Sequence, residues 1–116
     1  MASAQEWLAS ARHALEAEFT SPATSAAYFA MFYAARAALS EEDLNAKTHR
    51  GIWNLFGERF VETARFDSEL HRDARKTQPV REATDYDAAK VTPEEARRVV
   101  ELADRFVAAV DDLLTG

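Results

Sequence analysis

The sequence lacks cysteine altogether and contains only three glycines and three prolines among its 116 residues. Without cysteine, the chain can form neither a disulfide framework nor a thiolate metal site. No stretch comes near the roughly 18 uninterrupted apolar residues of a membrane span. Residues 1–19 also lack the cationic start and apolar block of a secretory signal. These absences predict a cytoplasmic protein that does not associate with a membrane.

The formal net charge is −6, which argues against a protein that coats nucleic acid without selectivity. The charge is unevenly spread, however. Residues 47–81 carry eight Lys and Arg against five acids, whereas residues 91–116 carry three Arg against six acids. Two interpretations are open: a locally positive face on an acidic body, or a set of solvated helix faces.

Apolar residues recur at helical spacing along the whole chain, and alternating strand patterns are missing. The first predicted helix has an apolar stripe, formed by Trp7, Leu8, Ala11, Leu15 and Phe19. Ser21 is the candidate cap of the second helix. Thr48, Asp67 and Thr92 are the candidate caps of three further helices. The pattern therefore predicts one domain over residues 1–116, an all-α, up-and-down bundle of four or five helices.

The second predicted helix is apolar almost all round between residues 26 and 39, so it has to be covered on more than one side. Its aromatic residues Tyr28, Phe29, Phe32 and Tyr33 span more than half of its circumference. Two copies could bury this surface between them, with a gain of about 25 cal/mol per Å². This favours a homodimer. The alternative is a central helix that lies wholly inside its own chain.

Lys47, His49 and Arg50 flank the predicted start of the third helix, where unpaired N–H groups and the helix dipole favour an anion. We interpret them as residues that bind the phosphate of RNA or of a nucleotide, with His49 able to move a proton near neutral pH. The alternative is a purely local role, in which Thr48 caps the helix and His49 packs. Neither a metal-binding motif nor a glycine-rich phosphate loop is present, so we predict no metal and no cofactor.

A second polar stretch reads "REATDYD" from Arg81 to Asp87. Arg81 and Asp85 stand four residues apart, so a helix would place them on one face as an ion pair. An arginine held beside Tyr86 is suited to gripping a phosphodiester and donating a hydrogen bond to it. Arg81, Asp85 and Tyr86 are therefore candidates for holding a phosphate. The structural alternative is an ordinary surface pair followed by a packed tyrosine, and the spacing alone favours this alternative.

Four blocks of the chain resemble, in order and spacing, the HEPN domain family of bacteria and archaea. They read "SAAYFAMFYAARAAL", "KTHRGIWNLFGERFV", "REATDYD" and "VTPEEARRVVELADRFV". The resemblance implies a dimeric helical bundle and, in many members, a toxin paired with a small nucleotidyltransferase. Many members are also metal-independent ribonucleases, in which an Arg grips phosphate and a His four to six residues later handles the 2′-hydroxyl proton or stabilises the transition state.

Arg81 falls where this Arg is expected, so the resemblance makes Arg81, Asp85 and Tyr86 the candidate catalytic residues. The fifth residue after Arg81 is Tyr86, however, and residues 81–87 contain no His. A phenol, with a pKa near about 10, is a poor base at neutral pH, although it can donate a hydrogen bond. Arg65 and His71 do satisfy the spacing, but Asp67 is the candidate cap of a new helix between them. The two residues need not share a helix, so we interpret this second pair as coincidence.

Three functional hypotheses follow. The first is a toxin-like, RNA-directed, metal-independent ribonuclease, or a degenerate relative of one, that uses Arg81 and Tyr86 with His49 recruited from the third helix. The second is a non-catalytic HEPN module that binds a nucleotidyltransferase partner or a nucleotide. The third is a structural helical dimer. A small nucleotidyltransferase reading frame beside the gene would favour a toxin–antitoxin pair.

Overall fold

The computed structural model of the protein describes residues 1–78 and 91–116. In these ranges the chain forms a bundle of helices: α1 (Ala2–Glu16), α2 (Thr20–Ser40), α3 (His49–Phe56), α4 (Ser68–Arg75) and α5 (Pro93–Thr115). A π-helical segment, Gly57–Val61, continues α3 directly. The all-α bundle predicted from the spacing of apolar residues is confirmed.

Helix α2 lies at the centre of the bundle and packs against α1, α3 and α5. Its nearly uncharged sequence supplies much of the core, including Tyr28 and Phe32, which are buried within the chain. Phe29 and Tyr33 are half-buried, and the ring of Trp7 from α1 lies 5.0 Å from that of Phe29. The aromatic surface is therefore divided, and one part of it remains accessible at the side of α2.

Three of the four predicted helix caps are confirmed. The side-chain oxygens of Thr48, Asp67 and Thr92 each accept a hydrogen bond from the backbone N–H three residues later. Such a bond satisfies one of the four N–H groups that the first turn of a helix leaves without an intrahelical partner. These caps fix where α3, α4 and α5 begin, and the first of them positions the site described below.

The predicted cap at Ser21 is wrong, because α2 already begins at Thr20, with Phe19 in the capping position and no side-chain cap bond. Helix α1 ends at Glu16, and a left-handed residue, Glu18 with φ 64°, turns the chain within a short connector. Phe19 is consequently 63% exposed instead of extending the apolar stripe of α1. The tight connector, which sequence periodicity does not encode, moves the start of α2.

Within the two described ranges, no helix is long and apolar enough to cross a membrane. The same ranges contain no cluster of three histidine or carboxylate side chains that could hold a metal ion.

Candidate phosphate-binding site

The site is built first on one face of α2. Tyr28, Phe32 and Arg36 follow one another at intervals of four residues, which places them on successive turns of the same helical face. Tyr28 and Phe32 are buried, whereas Arg36 reaches the surface. The face therefore runs from the core to solvent and ends in a positive charge.

The start of α3 is folded tightly against the connector that precedes it. The hydroxyl oxygen of Thr48 accepts a hydrogen bond of 2.9 Å from the N–H of Gly51. A Cβ atom at Gly51 would lie 3.0 Å from the Cβ of Ala46 and 3.0 Å from Oγ1 of Thr48, closer than most real contacts. The missing side chain at Gly51 thus lets the connector lie close to the helix, and it fixes the position of Lys47 and His49.

The imidazole of His49 is held by the aromatic side chains of Tyr28 and Phe32, and Tyr28 is held in turn by Trp53. Its Nδ1 lies 2.9 Å from the phenolic oxygen of Tyr28, and Nε1–H of Trp53 donates to that same oxygen at 3.2 Å. The imidazole also stacks on the ring of Phe32, with centroids 4.0 Å apart and planes inclined by 21°. Because Tyr28 and Trp53 are buried, this arrangement fixes the orientation of a histidine that is itself half-buried.

A pocket of about 240 Å³ opens where α2 meets the start of α3. We call it the cation pocket. It is lined by Phe32, Tyr33, Arg36, Ala46, Lys47, Thr48, His49 and Ile52. Arg36, Lys47 and His49 supply basic groups from three different segments, and none of the described lining residues carries a carboxylate. Such a pocket favours an anion, and the planar guanidinium of Arg36 is suited to phosphate oxygens.

The structure places the residues proposed from the sequence as follows. Lys47 and His49 line the cation pocket. Arg50 is exposed in the first turn of α3 and is not among the described lining residues. Arg81, Asp85 and Tyr86 lie outside the described residues, so their roles and their proximity to His49 remain predictions.

Sequence reasoning missed the roles of Arg36 and Tyr28. A signal for Arg36 was present, because it is the single charged residue of the 21 in α2. A lone charge on a helix that is otherwise buried on several sides has to reach an edge of the bundle, where it can meet a ligand. Tyr28 gave no comparable signal, since its partners His49 and Trp53 lie 21 and 25 residues away.

Much of the positive charge of residues 47–81 is committed to other contacts. Arg59 and Arg65 both pair with Glu42, through bonds of 2.6 and 2.9 Å. The hydrogen bond from Arg59, and then that from Arg65, lowers the pKa of the Glu42 carboxyl. Arg72 contacts Glu69. These arginines therefore fit the interpretation of solvated helix faces with paired charges. Lys47, in contrast, lines the cation pocket.

Arg65 and His71 do not form a common site. Arg65 lies in the connector before α4, where it pairs with Glu42 and its guanidinium lies 4.9 Å from the ring centre of Phe60. His71 is buried in α4, and its Nε2–H donates to the carbonyl oxygen of Trp53 at 2.9 Å. Burial lowers the pKa of His71, which favours the neutral ring. The expectation that the two residues need not share a helix is confirmed.

Comparison with known proteins relates the whole described fold to one family. The family model described as the HEPN domain matches residues 1–113. A protein of Methanocaldococcus jannaschii named "Putative toxin" is 34% identical over 104 residues, which make up 90% of this chain and 78% of the relative. A second protein of that organism with the same name is 30% identical over 105 residues, covering 90% and 71% of the two chains. A UPF0332 protein of Gloeobacter violaceus is 30% identical over 106 residues, covering 90% and 84%.

Proposed function

The chain belongs to the HEPN domain family, and we propose that it is a toxin-like member that binds RNA through the cation pocket and cleaves it without a metal ion. The observation that carries the proposal is the convergence of Arg36, Lys47 and His49 on one pocket without a carboxylate among its described lining residues. On a protein of net charge −6, the charges of Arg36 and Lys47 beside His49 provide a place where a phosphate is attracted rather than repelled. The names of two relatives support the toxin-like part.

In the proposed reaction, Arg36 and Lys47 hold the scissile phosphate and neutralise charge that develops on its oxygens. If Nδ1–H of His49 donates to Tyr28, Nε2 carries the lone pair and takes the proton of the 2′-hydroxyl. The 2′-oxygen then bonds to phosphorus, and the bond from phosphorus to the 5′-oxygen breaks. The departing 5′-oxygen takes a proton from water, and the hydroxide left behind takes the proton from the His49 imidazolium. The products are a 2′,3′-cyclic phosphate and a free 5′-hydroxyl.

We place Arg81, Asp85 and Tyr86 beside the same phosphate. Arg81 would grip a second phosphate oxygen, Asp85 would orient its guanidinium, and the Tyr86 phenol would donate a hydrogen bond. We also propose that the protein is a cytoplasmic homodimer with Arg81 near the seam between the copies. The half-buried ring of Phe29 and the exposed ring of Trp7 beside it supply apolar surface for that contact.

A second candidate function is phosphate binding without cleavage, as in a module that pairs with a nucleotidyltransferase antitoxin or holds a nucleotide. The observation that favours it is the sequence from Arg81 to Asp87, which has Tyr86 and no histidine where the family resemblance leads us to expect a catalytic histidine. Both candidates share the cation pocket, so they differ in whether His49 takes part in bond breaking.

Binding can be tested by fluorescence anisotropy with a labelled single-stranded RNA. Arg36→Ala should weaken binding by roughly 10- to 100-fold, because a charge-assisted hydrogen bond contributes about 1.5–3 kcal/mol. Lys47→Ala should lower the slope of log K against log salt concentration by about 0.7, the value for one phosphate contact on a single strand. Arg98→Ala is the matched control, since this exposed arginine lies on α5 in a different surface depression. Equal effects of Arg36→Ala and Arg98→Ala would contradict the proposal.

Cleavage can be tested on the same RNA in the presence of EDTA. The ribonuclease proposal predicts fragments ending in a 2′,3′-cyclic phosphate, and their loss in His49→Ala with RNA still bound. RNA bound by the wild-type protein but left intact would instead support the non-catalytic candidate.

A further inference from the structure

A second depression adjoins the cation pocket, and the two share Tyr33 and Arg36. Its volume of about 390 Å³ lies within the range of roughly 300–1,000 Å³ that small-molecule pockets span. We call it the polar pocket. It is lined by Met1, Ser3, Tyr33, Arg36, Ala37, Ser40, Asp43, Leu44 and Asn45. Arg36 lies between the two pockets. A ligand whose phosphate binds Arg36 in the cation pocket can therefore extend its adjoining group into the polar pocket.

The wall between the pockets combines an aromatic ring, that of Tyr33, with the guanidinium of Arg36. Tyr33 is half-buried and is braced by Phe29 and Phe32, whose ring centres lie 6.2 and 5.4 Å from its own. The guanidinium carbon of Arg36 lies 5.8 Å from the centre of the Tyr33 ring. Aromatic rings and guanidinium planes are the groups on which proteins stack unpaired nucleobases.

The far side of the polar pocket offers hydrogen-bonding groups at a sharp bend after α2. The carboxylate of Asp43 can only accept hydrogen bonds, whereas the amide of Asn45 can both accept and donate. Asp43 has φ 58°, a left-handed conformation that holds its exposed side chain at the bend. A carboxylate in this place favours a base with an amino group and a ring N–H on its pairing edge, and it disfavours uracil, whose edge is dominated by carbonyl oxygens.

We infer that the polar pocket is a nucleobase subsite, in which one base of a bound RNA lies against Tyr33 and Arg36, and Asp43 selects guanine over uracil. This inference rests on the proposed function, because the cation pocket has to hold the adjoining phosphate. It adds to that function a preference for an unpaired guanosine next to the bound phosphate.

The test compares ribose 5-phosphate, uridine 5′-monophosphate and guanosine 5′-monophosphate by isothermal titration calorimetry. The guanine nucleotide should bind the wild-type protein about tenfold more tightly than ribose 5-phosphate, as expected for one stacked base. Tyr33→Ala should erase that difference and Tyr33→Phe should retain it. Asp43→Asn should bring the two nucleotides to similar affinities. Asparagine tolerates the left-handed conformation, so this substitution spares the bend.

The outcomes separate this inference from the function on which it rests. Equal affinities of ribose 5-phosphate and the guanine nucleotide for the wild-type protein would overturn the base subsite and leave the cation pocket standing. If guanosine, measured as a control ligand, binds as tightly as its 5′-monophosphate, the subsite is sustained and the cation pocket is overturned. If no ligand binds, both are overturned. If Tyr33→Ala weakens all three ligands alike, the subsite is overturned.

Discussion

Removal of the Tyr28 hydroxyl tests the structural basis of the site. In Tyr28→Phe, the Trp53 indole N–H loses its acceptor, and Trp53 is 1% exposed, so water cannot readily replace it. An unsatisfied buried donor costs about 1–3 kcal/mol. The lost bond to the half-buried His49 adds about 0.5–1.5 kcal/mol, because this ring can partly hydrate. We therefore expect the free energy of unfolding to fall by about 1.5–4.5 kcal/mol.

Urea denaturation at neutral pH measures this loss, and RNA anisotropy measures the accompanying loss of affinity as the imidazole is freed to reorient. Tyr33→Phe is the control, since it removes a phenol from a half-buried ring of the same helix and should change stability by at most about 0.5 kcal/mol. The double variant Tyr28→Phe/Trp53→Phe should be less destabilised than the sum of its parts, because the two residues share one hydrogen bond. If the free energy of unfolding of Tyr28→Phe falls by less than about 0.5 kcal/mol and RNA affinity is unchanged, the Tyr28 hydroxyl supports neither Trp53 nor His49.

Four further predictions concern other parts of the chain. Burial, the largest influence, lowers the pKa of His71, so the unfolded chain binds the proton more readily. The free energy of unfolding should therefore be highest above about pH 6.5 and should fall below it, by at most about 1.4 kcal/mol per pH unit. Urea titrations at several pH values measure this decline, and it should be smaller in His71→Gln. Arg65→Ala should lower the free energy of unfolding by less than about 1 kcal/mol, since its ion pair is exposed. Anisotropy should show an unchanged RNA affinity, and a clear loss of affinity would make Arg65 a site residue. Gly51→Ala should weaken RNA binding, because the added methyl group displaces Thr48. In denaturation experiments, a gain in helix propensity of about 1 kcal/mol should offset the strain from this contact. Unchanged RNA affinity would show that the methyl group does not displace Thr48. Under the proposal that Arg81 grips a phosphate, Arg81→Ala should abolish RNA cleavage or binding, since removing a charge from a preorganised site costs about 2–4 kcal/mol. Full activity of this variant in a gel assay would show that Arg81 takes no part in the site.

The architecture was predictable from local signals. Thr48, Asp67 and Thr92 mark helix starts because a short polar side chain before an apolar period caps the first turn, and this chemistry depends on a few neighbouring residues. The cap at Ser21 was predicted wrongly because the left-handed turn at Glu18 sets the start of α2 earlier, and a non-glycine residue in that conformation has no sequence signature. The family resemblance seen in four sequence blocks is confirmed by the match over residues 1–113.

The site was predictable only in part. Lys47 and His49 were found because they flank a recognisable helix start, and they do line a pocket. That Tyr28 anchors His49, and that Arg36 stands beside it, depends on how α2 packs against α3. Contacts between residues far apart in the chain depend on how the helices pack. They produce no periodic pattern that could be recognised in a single sequence. Arg81 and Tyr86 were inferred from family resemblance, and they lie outside the described residues.

The most direct test of the cation pocket is a nuclear magnetic resonance titration that follows the ring signals of all three histidines while a short single-stranded RNA is added. If RNA binds in the cation pocket, the His49 ring and the backbone amides from Lys47 to Gly51 should show saturable shifts, and these shifts should weaken strongly in Arg36→Ala. The ring of His71, buried between α3 and α4, and that of His13, exposed on α1, should stay nearly unchanged. Shifts of the His71 or His13 signals, with the His49 ring signals unchanged, would show that RNA does not bind in the cation pocket.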